Sequence, residues 1–389
     1  MTKEQSFFIQ ILSDHLNGRE TKPVEDLDWN IIHSYALKHQ VSGIVFEQVR
    51  DCMPIEIQQM FRKEAMATLF YAIKRDNDFE SVKKAFSEEY ISYFVVKGPA
   101  IAELYPSPKL RSMGDIDLVI HREDRDLCNE ILIQNGYECI SNQDDREWQY
   151  YKNNIELELH DRLVYEEVVN EKGQDEFFND CWRHVNEGQL DWNFHLLFLI
   201  FHLRKHFMNS GVGFRMFMDL AVVAEKTHIV WDTLEDNLEK AGMLEFAKKC
   251  YGFVVRWFGI RTPITDKIDS SFFEEATQKI FNDGVFGFHN TDNIGSDVFN
   301  KTRNRRFLRL SMGLLAFRQI FPTIKELREI ETYAYLKDYP FLLPASWVHR
   351  ICRGLKKHKG NIGIERIKKS FITNERITQR ERMLQKWGL

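Results

Sequence analysis

The sequence predicts an α+β fold, a small mixed β-sheet set between an N-terminal helical region and a long C-terminal helical region. Three observations predict it. Apolar residues recur at helical spacing from Gln5 to about Phe86, as in Phe8, Leu12 and Leu16 or Ile32, Tyr35 and Ala36. Between Tyr90 and His160 the pattern changes to short β-branched and aromatic runs with period-two alternation. Beyond Leu190 the helical period returns.

Each element of the middle region has its own signal. Tyr90 to Gly98 runs through β-branched and aromatic residues into Lys97-Gly98, a buried strand ending at a turn. Pro99 suits the first position of a short helix over Ala100 to Tyr105, where its missing N–H costs nothing, and Pro106 and Pro108 stop that helix. Asp115 to His121 is a second strand. Its alternation puts Ile116, Leu118 and Ile120 on one face and Asp115, Asp117 and Val119 on the other. Arg122 to Asn135 is a helix closed by Gly136. Trp148 to Lys152 and Ile155 to His160 flank Asn153-Asn154, a pair that tolerates positive φ, and so form a hairpin. The second strand of that hairpin sets Glu156, Glu158 and His160 against Ile155, Leu157 and Leu159.

Composition bounds the rest. At 389 residues the chain exceeds the size at which one core keeps growing. The expected division is 1–88, a helical N-terminal region; 89–188, the α/β core; 189–345, a helical C-terminal domain; and 346–389, a basic helical tail. Apolar residues at 43% and charged residues at 29% exclude a disordered chain. The longest apolar runs, such as Phe194 to Phe201, are too short to span a bilayer, and the first residues do not read as a secretion signal, so a cytoplasmic location is expected. Six scattered cysteines without a C-x-x-C pair argue against a zinc knuckle or a disulfide framework.

The net charge of −5 hides an asymmetry, because residues 350–389 hold twelve Lys/Arg against three Glu. That segment is either a solvated helical face offsetting an acidic body or a contact to an anionic surface, membrane lipid or nucleic acid.

The chemistry is expected where acids share a face. Two aspartates at i, i+2 on a strand repel each other unless a cation neutralises them, and carboxylates with water and phosphate oxygens suit Mg²⁺. Two such ions can stabilise both the attacking and the leaving oxygen of an in-line phosphoryl displacement. His202 and His206 share a helix face, but Leu203 stands where the H-E-x-x-H metalloprotease motif needs Glu. These histidines are either contacts to a ligand or ordinary packing residues. Arg215 and Asp219, also at i, i+4, are spaced for a helix ion pair.

The segments Phe94 to Gly98, Leu104-Tyr105, Leu110 to Ile120 and Ile155 to His160 resemble the uncharacterised nucleotidyltransferase-like family of the DNA polymerase beta superfamily. The resemblance is densest over Tyr90 to Leu163 and continues more weakly through Leu196 to Glu225. It implies transfer of a nucleoside monophosphate from a nucleoside triphosphate to a hydroxyl acceptor, with Mg²⁺ or Mn²⁺ as cofactor. It implies Asp115, Asp117 and Glu158 as catalytic metal ligands, and Lys97, Gly98, Arg111, His160, His202 and His206 as contacts to nucleotide. The chain departs from the superfamily pattern in carrying Lys97-Gly98 after the first strand, a longer gap to Asp115, and Glu as the third carboxylate. The other reading these residues leave open is a catalytically degenerate fold that serves as a binding module.

Overall fold

The computed structural model describes residues 1–141, 147–163, 181–209, 211–285, 323–327, 331–337, 339–349 and 382–389. They fall into two compact units, one of residues 1–207, 211–286 and 385–389, the other of 208–210 and 287–384.

The first unit opens with four helices, α1 (Lys3–Leu16), α2 (Trp29–Lys38), α3 (Ser42–Val49) and α4 (Ile55–Glu88). Local chemistry fixes their starts. The Thr2 hydroxyl accepts the Gln5 N–H while the Gln5 side chain accepts the Thr2 N–H, a reciprocal capping box at α1. The Asp28 carboxylate caps the first free amides of α2.

The expected middle region is a five-stranded mixed sheet of β1 (Tyr93–Val96), β2 (Asp115–Ile120), β3 (Glu138–Ser141), β4 (Glu147–Lys152) and β5 (Ile155–His160), in the order β1-β2-β5-β4-β3. The β2–β5 pair is parallel and the other neighbours are antiparallel. Between β1 and β2 lies α5 (Gly98–Ala102), which starts two residues earlier than the sequence predicts. Between β2 and β3 lies α6 (Arg125–Gln134), which follows a 3₁₀ turn and ends at Gly136 with φ +82°. Asn153 and Asn154 take φ +54° and +69°, so the β4–β5 hairpin turns as its Asn-Asn pair predicts.

One face of the sheet is closed by apolar packing. Ile116, Leu118, Ile120, Leu157 and Leu159 pack with Phe79, Val82 and Phe86 of α4 and with Cys128, Ile131 and Leu132 of α6. Each fully buried aliphatic side chain contributes about 2 kcal/mol, so this face anchors the sheet to the preceding helices.

A short β6–β7 hairpin (Val185–Asn186, Gln189–Leu190) leads into α7 (Trp192–Asn209), α8 (Phe214–Lys226), α9 (Trp231–Lys240), α10 (Leu244–Phe258) and α11 (Ser270–Asp283). The breaks fall at Gly211 to Gly213, after Phe258 and at Gly284. Trp387 inserts into this helical part, 1% exposed, against Phe207, Phe217, Phe246, Phe253 and Phe272. In the second unit Leu327, Tyr333 and Leu336 form a small buried cluster with Leu342, Leu343 and Trp347 packed on it. Most of the basic segment 350–389 lies outside the described residues; of its described end, Lys386 pairs with Glu275. Among the described residues no helix is long and apolar enough to cross a membrane.

Candidate active site

The sheet face opposite the apolar packing lines a cleft of about 450 Å³ whose other wall is made by α7 and α8. Because β2 and β5 run parallel in register, Asp115 stands opposite Glu156, Asp117 opposite Glu158 and Val119 opposite His160. The period of two then turns Asp115, Asp117, Glu158 and His160 to the same side. All four line the cleft.

Asp117, Glu158 and His160 can each present one ligand atom such that all lie within 4.8 Å of one another. His160 Nε2 lies 3.1 Å from Asp117 Oδ1 and 3.4 Å from Glu158 Oε2, bridging the two carboxylates. Gln149, the β4 neighbour of Glu158, donates to Glu158 Oε1 at 3.1 Å. Lys97 Nζ donates to Asp117 Oδ1 at 2.6 Å. Asp117 is fully buried, and its Oδ2 has no hydrogen-bond partner.

Electrostatics follow from this crowding. Although burial opposes it, the Lys97 ammonium and the bond from His160 hold the Asp117 carboxyl well below the usual carboxylate range. Burial also opposes the charged form of His160, yet its bonds to Asp117 and Glu158 push it up to about 9. Asp115 moves the other way: burial and the nearby charges of Asp117 and Glu158 raise its carboxyl above the ordinary value. An acidic cluster that keeps two cations close and still leaves a buried carboxylate oxygen unpartnered has the donor chemistry for a divalent metal. The carboxylate oxygens of Asp115, Asp117 and Glu158 suit Mg²⁺ or Mn²⁺.

Lys97 sits at φ +53° and ψ −124°, a region a non-glycine residue enters at a cost of about 1–3 kcal/mol. Its N–H donates to His195 Nε2 at 3.1 Å while its side chain reaches Asp117, so contacts at both ends hold the conformation. His195 is 1% exposed, and burial pushes it down to about 4, which keeps Nε2 a free acceptor. Next to it, a Cβ on Gly98 would lie 3.1 Å from Met113 Sδ and 3.2 Å from the Asp115 carbonyl oxygen, so glycine lets this turn pass close to β2 without displacing either. The helix that Gly98 opens has five residues, which limits the field its amides can add.

Arg111 lines the cleft but is 3% exposed, and its Nε and Nη2 both reach Asp219, each at 2.8 Å. Tyr105 donates its hydroxyl to the same carboxylate at 2.7 Å. The Arg215–Asp219 helix ion pair expected from spacing is therefore not formed: Arg111 and Tyr105 occupy Asp219, and Arg215 Nη1 donates to the Ser112 carbonyl at 2.8 Å instead. His202 and His206 also line the cleft, with their Nε2 atoms 2.9 Å apart. Burial and neighbouring cations hold both below the ordinary histidine value, His206 at about 4.

Residues 25–259, more than half of the chain, match the profile of the family described as Uncharacterised nucleotidyltransferase. The chain belongs to that family. The resemblance drawn from Phe94 to Gly98 and Leu110 to Ile120 is thus borne out, and the family match spans the sheet, α7 and α8, taking in both walls of the cleft. No curated protein and no solved structure matches the chain.

The structure brings together every residue the sequence proposed for the site: Lys97, Gly98, Arg111, Asp115, Asp117, Glu158, His160, His202 and His206 all line one cleft. Sequence reasoning missed His195, which backs Lys97, and the sharing of Asp219 between Tyr105 and Arg111. The only sequence signal for His195 is a histidine amid the apolar run Phe194 to Phe201.

Proposed function

We propose that this chain transfers a nucleoside monophosphate from a nucleoside triphosphate to a hydroxyl acceptor, on a site of the DNA polymerase beta type. The observation that supports this best is the parallel register that sets Asp117 beside Glu158 on the polar face of the sheet, with a buried oxygen of Asp117 left unpartnered. Asp115, Asp117 and Glu158 would hold Mg²⁺ or Mn²⁺, with His160 beside them. A divalent cation bound there supplies Lewis-acid charge to the phosphoryl group undergoing transfer.

The chain's own residues do the rest. The acceptor oxygen forms its bond to the α-phosphorus as the bond to the β-phosphate breaks, and the hydroxyl proton passes to Glu158 while pyrophosphate leaves. His160, bridging Asp117 and Glu158, fixes their orientation. Lys97, paired with Asp117, holds that carboxylate in place.

One observation favours a second reading. Lys97 Nζ at 2.6 Å from Asp117 already supplies a positive charge where a metal belongs, as expected of a fold that keeps its shape as a binding module and contacts an anionic surface through residues 350–389. Calorimetric titration of ATP, CTP, GTP and UTP with Mg²⁺ separates the two. The transferase reading expects metal-dependent binding of at least one nucleotide, lost in Asp117→Asn. A folded protein that binds none of the four overturns it, and the module reading then expects an affinity for anionic vesicles or nucleic acid that falls steeply with salt.

A further inference from the structure

The two walls of the cleft carry opposite charge. On the sheet wall, Asp115, Asp117 and Glu158 are met by Lys97 and His160, while Arg162, which also lines the cleft, pairs with Asp161, so among the described residues acid is in excess even with His160 protonated. On the helical wall the imbalance is reversed. Asp219 lies near both Arg111 and Arg215, but Arg111 takes both of its oxygens. Arg215 is left with one hydrogen bond, to the Ser112 carbonyl, and its buried Nε has no partner. Lys205, one turn along α7 from His202, lines the same wall and pairs with no carboxylate among the described residues. His202 and His206 lie beside these cations and are held neutral, so they offset none of the charge.

We propose that Arg215, assisted by Lys205, is the anchor for the polyphosphate of the nucleotide, and that Lys97 and Arg111 are not. This rests on the nucleotidyltransferase reading and assigns the ends of the substrate within it. A guanidinium with an unsatisfied N–H in a partly desolvated cleft gains more from a phosphate oxygen than one whose donors already fork onto a carboxylate. Arg111 holds Asp219 away from Arg215 and so keeps Arg215 free for the ligand; it is a positioning residue. A polyphosphate seated on the helical wall faces the acidic wall across the cleft. The excess negative charge of one wall and the excess positive charge of the other then match a cation and the polyanion that carries it.

The test is calorimetric titration with the four nucleoside triphosphates, the corresponding monophosphates and inorganic tripolyphosphate, on the full chain and on Arg215→Gln, Arg215→Lys and Lys205→Gln. Glutamine keeps a neutral polar side chain at this position, and thermal melts identify any variant that fails to fold. The expected result is a ten- to hundredfold weaker triphosphate affinity in Arg215→Gln, a smaller loss in Lys205→Gln, partial recovery in Arg215→Lys, and monophosphate affinity changed less than twofold. Triphosphate affinity unchanged in folded Arg215→Gln, or equal losses for mono- and triphosphate, overturns the proposal. If no nucleotide binds but tripolyphosphate does, and Arg215→Gln abolishes it, the anion site stands and the transferase reading falls. If the native chain binds neither, both fall.

Discussion

The two faces of one sheet have been put to opposite uses. Along β2 the residues alternate between Ile116, Leu118 and Ile120, sealed against α4 and α6, and Asp115 and Asp117, turned to the cleft. Along β5, Leu157 and Leu159 alternate in the same way with Glu158 and His160. The apolar face gains stability from every residue it buries, whereas the acidic face sets like charges side by side and gives some of that stability up. A strand can carry both because its side-chain period keeps them on opposite sides of a single backbone.

Substitutions on each face are the direct way to break this contrast. Leu118 is fully buried, and Leu118→Ala should cost about 3 kcal/mol through lost transfer energy and a residual cavity. Urea denaturation measures this, and a cost below about 1 kcal/mol would mean that the sheet does not rest on that face.

A pH series sharpens the contrast further. His195, behind Lys97, is held at about 4 by burial, against an ordinary value near 6.5. As pH falls, the unfolded chain takes up the proton first. The contribution of His195 is therefore complete above about pH 6.5 and is lost progressively down to about pH 4. Stability from urea midpoints should decline over that window in the native chain and decline less in His195→Gln, while the cost of Leu118→Ala stays constant. Parallel pH profiles for the native chain and His195→Gln would show that this histidine is not held neutral.

The smallest effect concerns Asp115, whose carboxyl is raised by burial and by its neighbours Asp117 and Glu158. Asp115→Asn should stabilise the metal-free protein by about 1 kcal/mol and, if the site holds Mg²⁺ as proposed, abolish the rise in melting temperature that the cation gives the native chain. A variant less stable than the native chain without metal would contradict the view that the acidic face is under strain.

Much of this was legible in the sequence because it is local. The alternation in Asp115 to Ile120 and Ile155 to His160 gave the two faces, Asn153-Asn154 gave the hairpin, and the same alternation put the acids on one side. The parallel pairing of β2 with β5 is what sets Asp117 against Glu158, and only the family resemblance pointed to that partnership. The helical wall was less legible. Spacing on one helix suggested that Arg215 and Asp219 pair with each other, but Asp219 is claimed by Arg111, 108 positions away. A bidentate, buried partner outcompetes an i, i+4 neighbour whose pairing is worth a few tenths of a kcal/mol, and periodicity carries no information about such a distant rival. Lys97 at positive φ is hidden for the same reason, since its conformation depends on His195 and Asp117 and not on the residues beside it.

The position of Trp387 bears on how the chain is made. The aromatic cluster around Phe207, Phe217, Phe246, Phe253 and Phe272 lacks its central ring until residue 387 has been synthesised, and everything from 287 to 384 emerges from the ribosome before that. The helices behind the cleft must wait, with an apolar slot open, while a whole second unit is translated. The aromatic core of the first unit is thus completed by a residue that follows the second unit in the chain.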